Sequence, residues 1–160
     1  MWQRVQTLFL VLVAVCMIAA IFSTVWHKEN PNTNEMAHLT FLSLKKFKGS
    51  QPIAQIPTFY AAILAFAAAA VALYSTTRYD NRLLQMKLGF FNTLLLASTL
   101  GLSVYFAQQA EQLLIEPQTE PWRYYQTGFY LPVIAMMCNL LANRFIRRDE
   151  MLVRSMDRIR

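Results

Sequence analysis

Three sets of side chains in this sequence are of types that carry chemistry. The first is His27 and His38 with Glu29 and Glu35 between them. Imidazole and carboxylate are ligands for zinc and similar ions. No tight ligand rhythm such as H-x-x-x-H is present, however, so the four residues read first as solvated loop positions and only second as a metal site. The second set is neutral: Asn92, Thr93 and Ser98 in one apolar stretch and Asn139 in another. Such residues line a path for a polar solute, or they bond across helices and to their own backbone. The third set closes the chain, where "NRFIRRDEMLVRSMDRIR" at 143–160 holds six Arg. With four Gly in all, the chain has no Gly-rich phosphate loop, and no Ser–His–Asp order stands out. No enzyme activity, cofactor or resident metal is expected.

The elements that must hold these residues follow from where charge is missing. The chain has 160 residues, 56% of them hydrophobic and only 15% charged. Four windows hold almost no charge: 6–25, 56–75, 88–107 and 124–142. Each is about the 20 residues that a helix needs to cross a hydrocarbon core of roughly 30 Å. A soluble fold would need four long helices apolar on every face. No Asp, Glu, Lys or Arg falls near the middle of a window, which argues against a proton relay or voltage sensor. Cys16 and Cys138 lie within the windows and suit neither a disulfide framework nor a metal signature. The first window resembles a signal peptide, but its apolar run exceeds an ordinary h-region, and Val15 does not suit a lipoprotein cleavage site before Cys16. An uncleaved first span is expected.

The net charge of +6 invites a nucleic-acid reading, but its distribution fits membrane orientation instead. Arg4, Arg78, Arg82, Lys87 and the six Arg after the fourth window fall on one side, and Lys28, Lys45, Lys46, Lys48 and Arg123 on the other. Lys and Arg favour the cytoplasmic side, so both termini are expected there. No nucleic-acid partner is expected. Trp26 and His27 suit the outer interface.

Between the first two windows, "HLTFLSLKKF" partly alternates apolar and polar residues and fits a short strand pair. An interfacial helix capped by Asn34 is the alternative. "KGSQPIAQIP" reads as turn, and "STTRYDNRLLQMK" as a tight inner connection. In the second window, Ala61, Ala62, Ala65, Ala68, Ala69 and Ala72 repeat a small-xxx-small spacing, which predicts a helix pressed by neighbours on more than one side. Pro132 falls inside the fourth window and predicts a kink.

On a helix, Phe145, Leu152, Met156 and Ile159 form an apolar stripe, with Arg147, Arg154 and Arg158 opposite. The tail therefore reads as an amphipathic helix continuous with the fourth span. Arg144, Arg147, Arg148, Leu152, Arg154, Met156, Arg158 and Ile159 are its candidate docking residues, for anionic lipid or for a cytoplasmic or membrane protein partner. Simple topological anchoring is the alternative.

"QRVQTLFL", "NRLLQMKL" and the tail "NRFIRRDEMLVRSMDRIR" resemble an uncharacterised integral membrane family of Bacteroidota, the domain of unknown function 4293. The resemblance covers the whole chain. It implies four spans, two cytoplasmic ends and a bacterial inner membrane, and it supplies no activity or site residues.

The expected fold is an all-α, four-span membrane bundle with a small extracytoplasmic element in the first loop and a cytoplasmic C-terminal helix. The expected function is a non-enzymatic scaffold or accessory subunit. The alternative is a small transporter or channel subunit using Asn92, Thr93, Ser98 and Asn139.

Overall fold

A computed structural model of the chain describes residues 2–30, 35–49, 51–78, 81–114 and 124–157. Four helices, α1 (Trp2–Phe22), α2 (Phe59–Thr77), α3 (Arg82–Leu114) and α4 (Thr127–Asp157), pack in cyclic order, each against its two neighbours. All four are long and apolar enough to cross a membrane. Their side chains are arranged inside out. Leu8, Phe22, Phe66 and Phe90 point outward, while Gln6, Gln85, Asn92, Thr99, Ser103 and Asn139 are buried. In water this would waste the hydrophobic effect; in lipid it is the arrangement that costs least, because polar groups must find partners inside.

The inward stripe of α2 is made of Ala61, Ala62, Ala65, Ala68, Ala69, Ala72 and Ser75. Their i, i+3, i+4 spacing puts them on one side, and α2 packs against both α1 and α3. The expectation of a helix pressed from two sides therefore holds. Pro132 lies within α4 without ending it.

An antiparallel sheet closes one end of the bundle. Its strands are β1 (Thr24–Asn30), β2 (Glu35–Thr40), β3 (Ser43–Lys48), β4 (Gln51–Pro57) and β5 (Tyr124–Tyr125), in the order β4-β3-β2-β1-β5. The fold is therefore helical with a sheet rather than all-α, and the strand reading of the first loop is the right one. Two details differ from expectation. "QPIAQIP" is a strand and not a turn: β4 lies at the sheet edge, where Pro52 and Pro57 cost no central ladder bond. Among the described glycines, Gly49, at φ 61°, takes the turn conformation that favours glycine. Trp26 is not exposed on the surface but fully buried, and a bulge in β1 between Thr24 and Trp26 helps place Val25 and Trp26 together in the core.

The sheet is fastened to the helices at their ends. Thr58 donates through Oγ1 to the Thr40 carbonyl (2.9 Å), and its N–H donates to the Leu42 carbonyl. Gly128 lets the start of α4 lie against the Thr24 carbonyl, where a Cβ would come within 2.7 Å. The Gln126 N–H donates to the Val25 carbonyl.

Helix ends differ from the apolar windows in a regular way. The first helix stops at Phe22, not near Val25, because the chain turns into β1. The second starts at Phe59 because β4 occupies 51–57, and the fourth starts at Thr127 because 124–125 pair with β1. α3 is longer than its window at both ends. Asn81 caps its start, its Oδ1 accepting from the Leu84 N–H at 3.0 Å.

Candidate functional site

The end of the bundle opposite the sheet gathers the start of α1, the α2–α3 connection and the far part of α4. Gln85 of α3 donates to the Ser75 carbonyl of α2 at 3.1 Å, and Gln6 of α1 donates to Asp149 of α4 at 2.7 Å. Phe9 and Phe145 stack with centroids 5.8 Å apart, and Ile146 beside them is buried. Residues 143–149 thus belong to the bundle rather than to a free tail. Past them the character changes within one turn: Met151, Leu152 and Val153 are exposed although α4 runs on to Asp157.

Three of the four neutral path candidates meet between α3 and α4. Asn139 Nδ2 donates to the Gly89 carbonyl and to Thr93 Oγ1, both at 2.9 Å. Asn92 Nδ2 donates to Asn139 Oδ1 at 3.3 Å, and Thr93 Oγ1 donates to the Gly89 carbonyl at 3.0 Å. Thr99 and Ser103 donate to the carbonyls of Leu95 and Thr99. Ser98 is exposed on another side of α3. The network spends its donors on itself, which makes it an interhelical clamp. Gly89 also lets the next polar residue of α4 come close: a Cβ there would overlap the Asn143 side chain.

Next to this clamp, towards the end of the bundle, α3 and α4 diverge into a half-open groove of about 290 Å³ lined by Met86, Phe90, Leu140, Asn143, Arg144 and Arg147. The helical period explains the lining. Met86 and Phe90 are i, i+4 on α3, and Leu140, Arg144 and Arg147 are i, i+4, i+7 on α4. Phe90 is 67% exposed and Leu140 46%. Asn143 Oδ1 is buried with no hydrogen-bond partner among the described residues.

The docking candidates therefore divide. Arg144 and Arg147 border the groove. Arg148 is exposed and already engaged with a neighbouring group. Leu152 is exposed on the projecting turns. Arg154 and Met156 lie on α4, with side chains outside the described residues, and Arg158 and Ile159 lie outside them altogether. The sequence reading missed Met86, Phe90, Gly89, Leu140 and Asn143. The i, i+4 pair Met86/Phe90 was visible, but nothing local says that it faces Arg144 on another helix.

At the sheet end the histidines are not solvated loop residues. Antiparallel pairing of β1 with β2 sets His27 directly opposite His38. Their Nδ1 atoms are 3.1 Å apart, the rings stack at 4.3 Å, and Phe47 meets His38 edge-on. Burial holds the His38 pKa below the ordinary imidazole value; neighbouring His27 adds to this and Glu29 opposes it. Stacked rings do not converge their lone pairs on one ion, and no group of three or more His, Cys, Asp or Glu is placed to hold a metal among the described residues. On the opposite face, buried Lys28 lies 3.8 Å from Glu111 of α3. Lys46 and Lys48 share Glu35, at 2.9 and 3.9 Å.

Residues 2–159 match the profile of a family described as "Domain of unknown function (DUF4293)". The chain belongs to that family. No curated protein sequence matches it.

Proposed function

We propose that this DUF4293 member is a multi-pass protein of a bacterial inner membrane. Both termini are cytoplasmic, and it serves as a non-enzymatic scaffold or accessory subunit whose last helical turns dock a cytoplasmic partner protein. The observation that carries the reading is the length and change of character of α4. Its 31 residues span about 46 Å at 1.5 Å per residue, against a hydrocarbon core of roughly 30 Å. The surplus emerges at the end that also carries Arg78, Arg82, Lys87, Arg144 and Arg147, in keeping with the preference of basic residues for the cytoplasm. There it exposes Met151, Leu152 and Val153. An apolar patch on a charge-laced helix fits a helix-in-groove or helix-on-helix contact.

The test compares pull-downs from native membranes in mild detergent for the full chain and for a chain stopped after Glu150. That stop keeps the Gln6–Asp149 bond and the Phe9–Phe145 stack. The expected result is equal insertion and equal thermal stability, with loss of a co-purifying protein from the shortened chain alone. Identical partners for both chains would sink the docking reading and leave anchoring.

A further inference from the structure

We propose that the groove between α3 and α4 seats one anionic phospholipid from the cytoplasmic leaflet, its phosphodiester held by Arg144 and Arg147 and its acyl chain laid along Phe90 and Leu140. The inference rests on the membrane reading above but not on partner docking.

Three observations point to lipid rather than to a free anion. The first is the order of the lining. From Arg147 back to Leu140 along α4 is seven residues, about 10 Å of rise. On antiparallel α3, Met86 lies level with the arginines and Phe90 with Leu140. Guanidinium groups therefore stand at the mouth and apolar side chains lie deeper, in the same sequence as headgroup and tail. The second is charge. Arg144 and Arg147 make no ion pair among the described residues, in contrast with Lys28, Lys46 and Lys48. The planar fork of Arg suits phosphate oxygens bidentately. The third is the floor. Phe90 and Leu140 are exposed although the clamp beside them is tightly packed. Like the other outward-facing apolar side chains these two meet acyl chains in a membrane, and the phosphate within reach of Arg144 and Arg147 there is that of the lipid whose chain lies on them.

The test uses the full chain purified in mild detergent and native mass spectrometry with three probes: phosphatidylglycerol, phosphatidylcholine with the same acyl chains, and glycerol phosphate. One retained phosphatidylglycerol is expected. Phosphatidylcholine, whose phosphate is masked by its own cation, is expected to bind more weakly by a factor of about ten or greater, the scale of one charge-assisted contact. Glycerol phosphate should not be retained. The double variant Arg144→Gln/Arg147→Gln should lose the preference between the two lipids. Leu140→Trp fills the groove and leaves both guanidinium groups in place, and it should lose the lipid as well. Phe90→Ser repeats that test at a second outward-facing residue. Equal retention of the two lipids overturns the proposal. So does undiminished binding in the double variant, or in both Leu140→Trp and Phe90→Ser. Retention of glycerol phosphate would make the groove a plain anion site and overturn it too. The chain stopped after Glu150 separates this result from the docking reading. It should bind phosphatidylglycerol as the full chain does, whether or not it loses a protein partner.

Discussion

At the sheet end, Lys28 lies against Glu111, and Lys46 and Lys48 share Glu35. Trp26 is sealed beneath the strands and the two histidines face each other. At the other end, Arg144 and Arg147 look over a groove with an apolar floor, and α4 leaves the bundle with Met151, Leu152 and Val153 uncovered. The same chain thus satisfies its polar and apolar groups internally at one end and leaves them open at the other. Internal satisfaction stabilises the fold and leaves little to offer a ligand. The groove and the last turns of α4 contribute little to the fold, although Gln6–Asp149 and Phe9–Phe145 tie the bundle beside them, so their side chains are free to serve binding.

This contrast is tested most strongly by truncating one large aromatic at each end. Trp26→Ala at the closed end removes a side chain that is 1% exposed. It should cost about 3–5 kcal/mol, the usual range for deleting a buried large aromatic. Phe90→Ala at the open end should change stability by about 0.5 kcal/mol or less, as outlying surface positions do. Thermal or denaturant unfolding in detergent measures both. Similar losses at the two positions would show that the groove is part of the packed core and would remove the distinction.

Between the two ends lies the α3–α4 clamp, and its prediction is smaller. Asn139→Ala leaves Asn92 Nδ2 short of a partner and takes away one of the two side-chain donors to the Gly89 carbonyl, Thr93 Oγ1 being the other. About 1–3 kcal/mol should be lost. Ser98→Ala, at an exposed side chain, should be silent. If Asn139→Ala were as stable as the parent while a solute flux disappeared, the residues would form a path and not a clamp.

How much of this was legible beforehand depended on the range of the interaction. The four helices were legible because about twenty uncharged residues in a row have few other fates, and the alanine stripe of α2 because its period is local. Boundaries were not, because helices do not stop where apolar windows do. α3 starts at an Asn81 cap amid charged residues, and α4 runs through its Arg cluster. β4 was read as turn because Pro52 and Pro57 exclude a central strand but not an edge strand, and edge position is a property of the whole sheet. The histidine pair depends on the register of β1 with β2, and the groove on which faces of α3 and α4 diverge. Neither is written in local spacing. In the tail, the helix runs to Asp157 and carries Leu152 and Met156 of the stripe, Ile159 lies outside the described residues, and Phe145 serves the bundle by stacking on Phe9.

The smallest expected effect concerns protons at the closed end. The 3.1 Å contact between His27 and His38 needs one Nδ1–H and one bare Nδ1. Protonating both rings would set two N–H groups against each other across the strands. Burial and His27 lower the His38 pKa in the folded protein, with Glu29 acting the other way. A base whose folded pKa is lowered binds fewer protons folded than unfolded, so stability rises with pH across the interval between the two values. The contribution is present in full above the ordinary imidazole pKa of about 6.5. It fades as pH falls from there through the lowered folded value. The thermal midpoint of the parent should therefore drop on going from neutral to mildly acid conditions, and His38→Gln, which cannot titrate, should flatten that part of the curve. The open end lacks histidine altogether, so phosphatidylglycerol retention by the groove should hold steady over the same interval. If acid instead loosened the lipid and left the midpoint unmoved, the titrating group would lie near the groove, and the division of labour between the two ends would have to be redrawn.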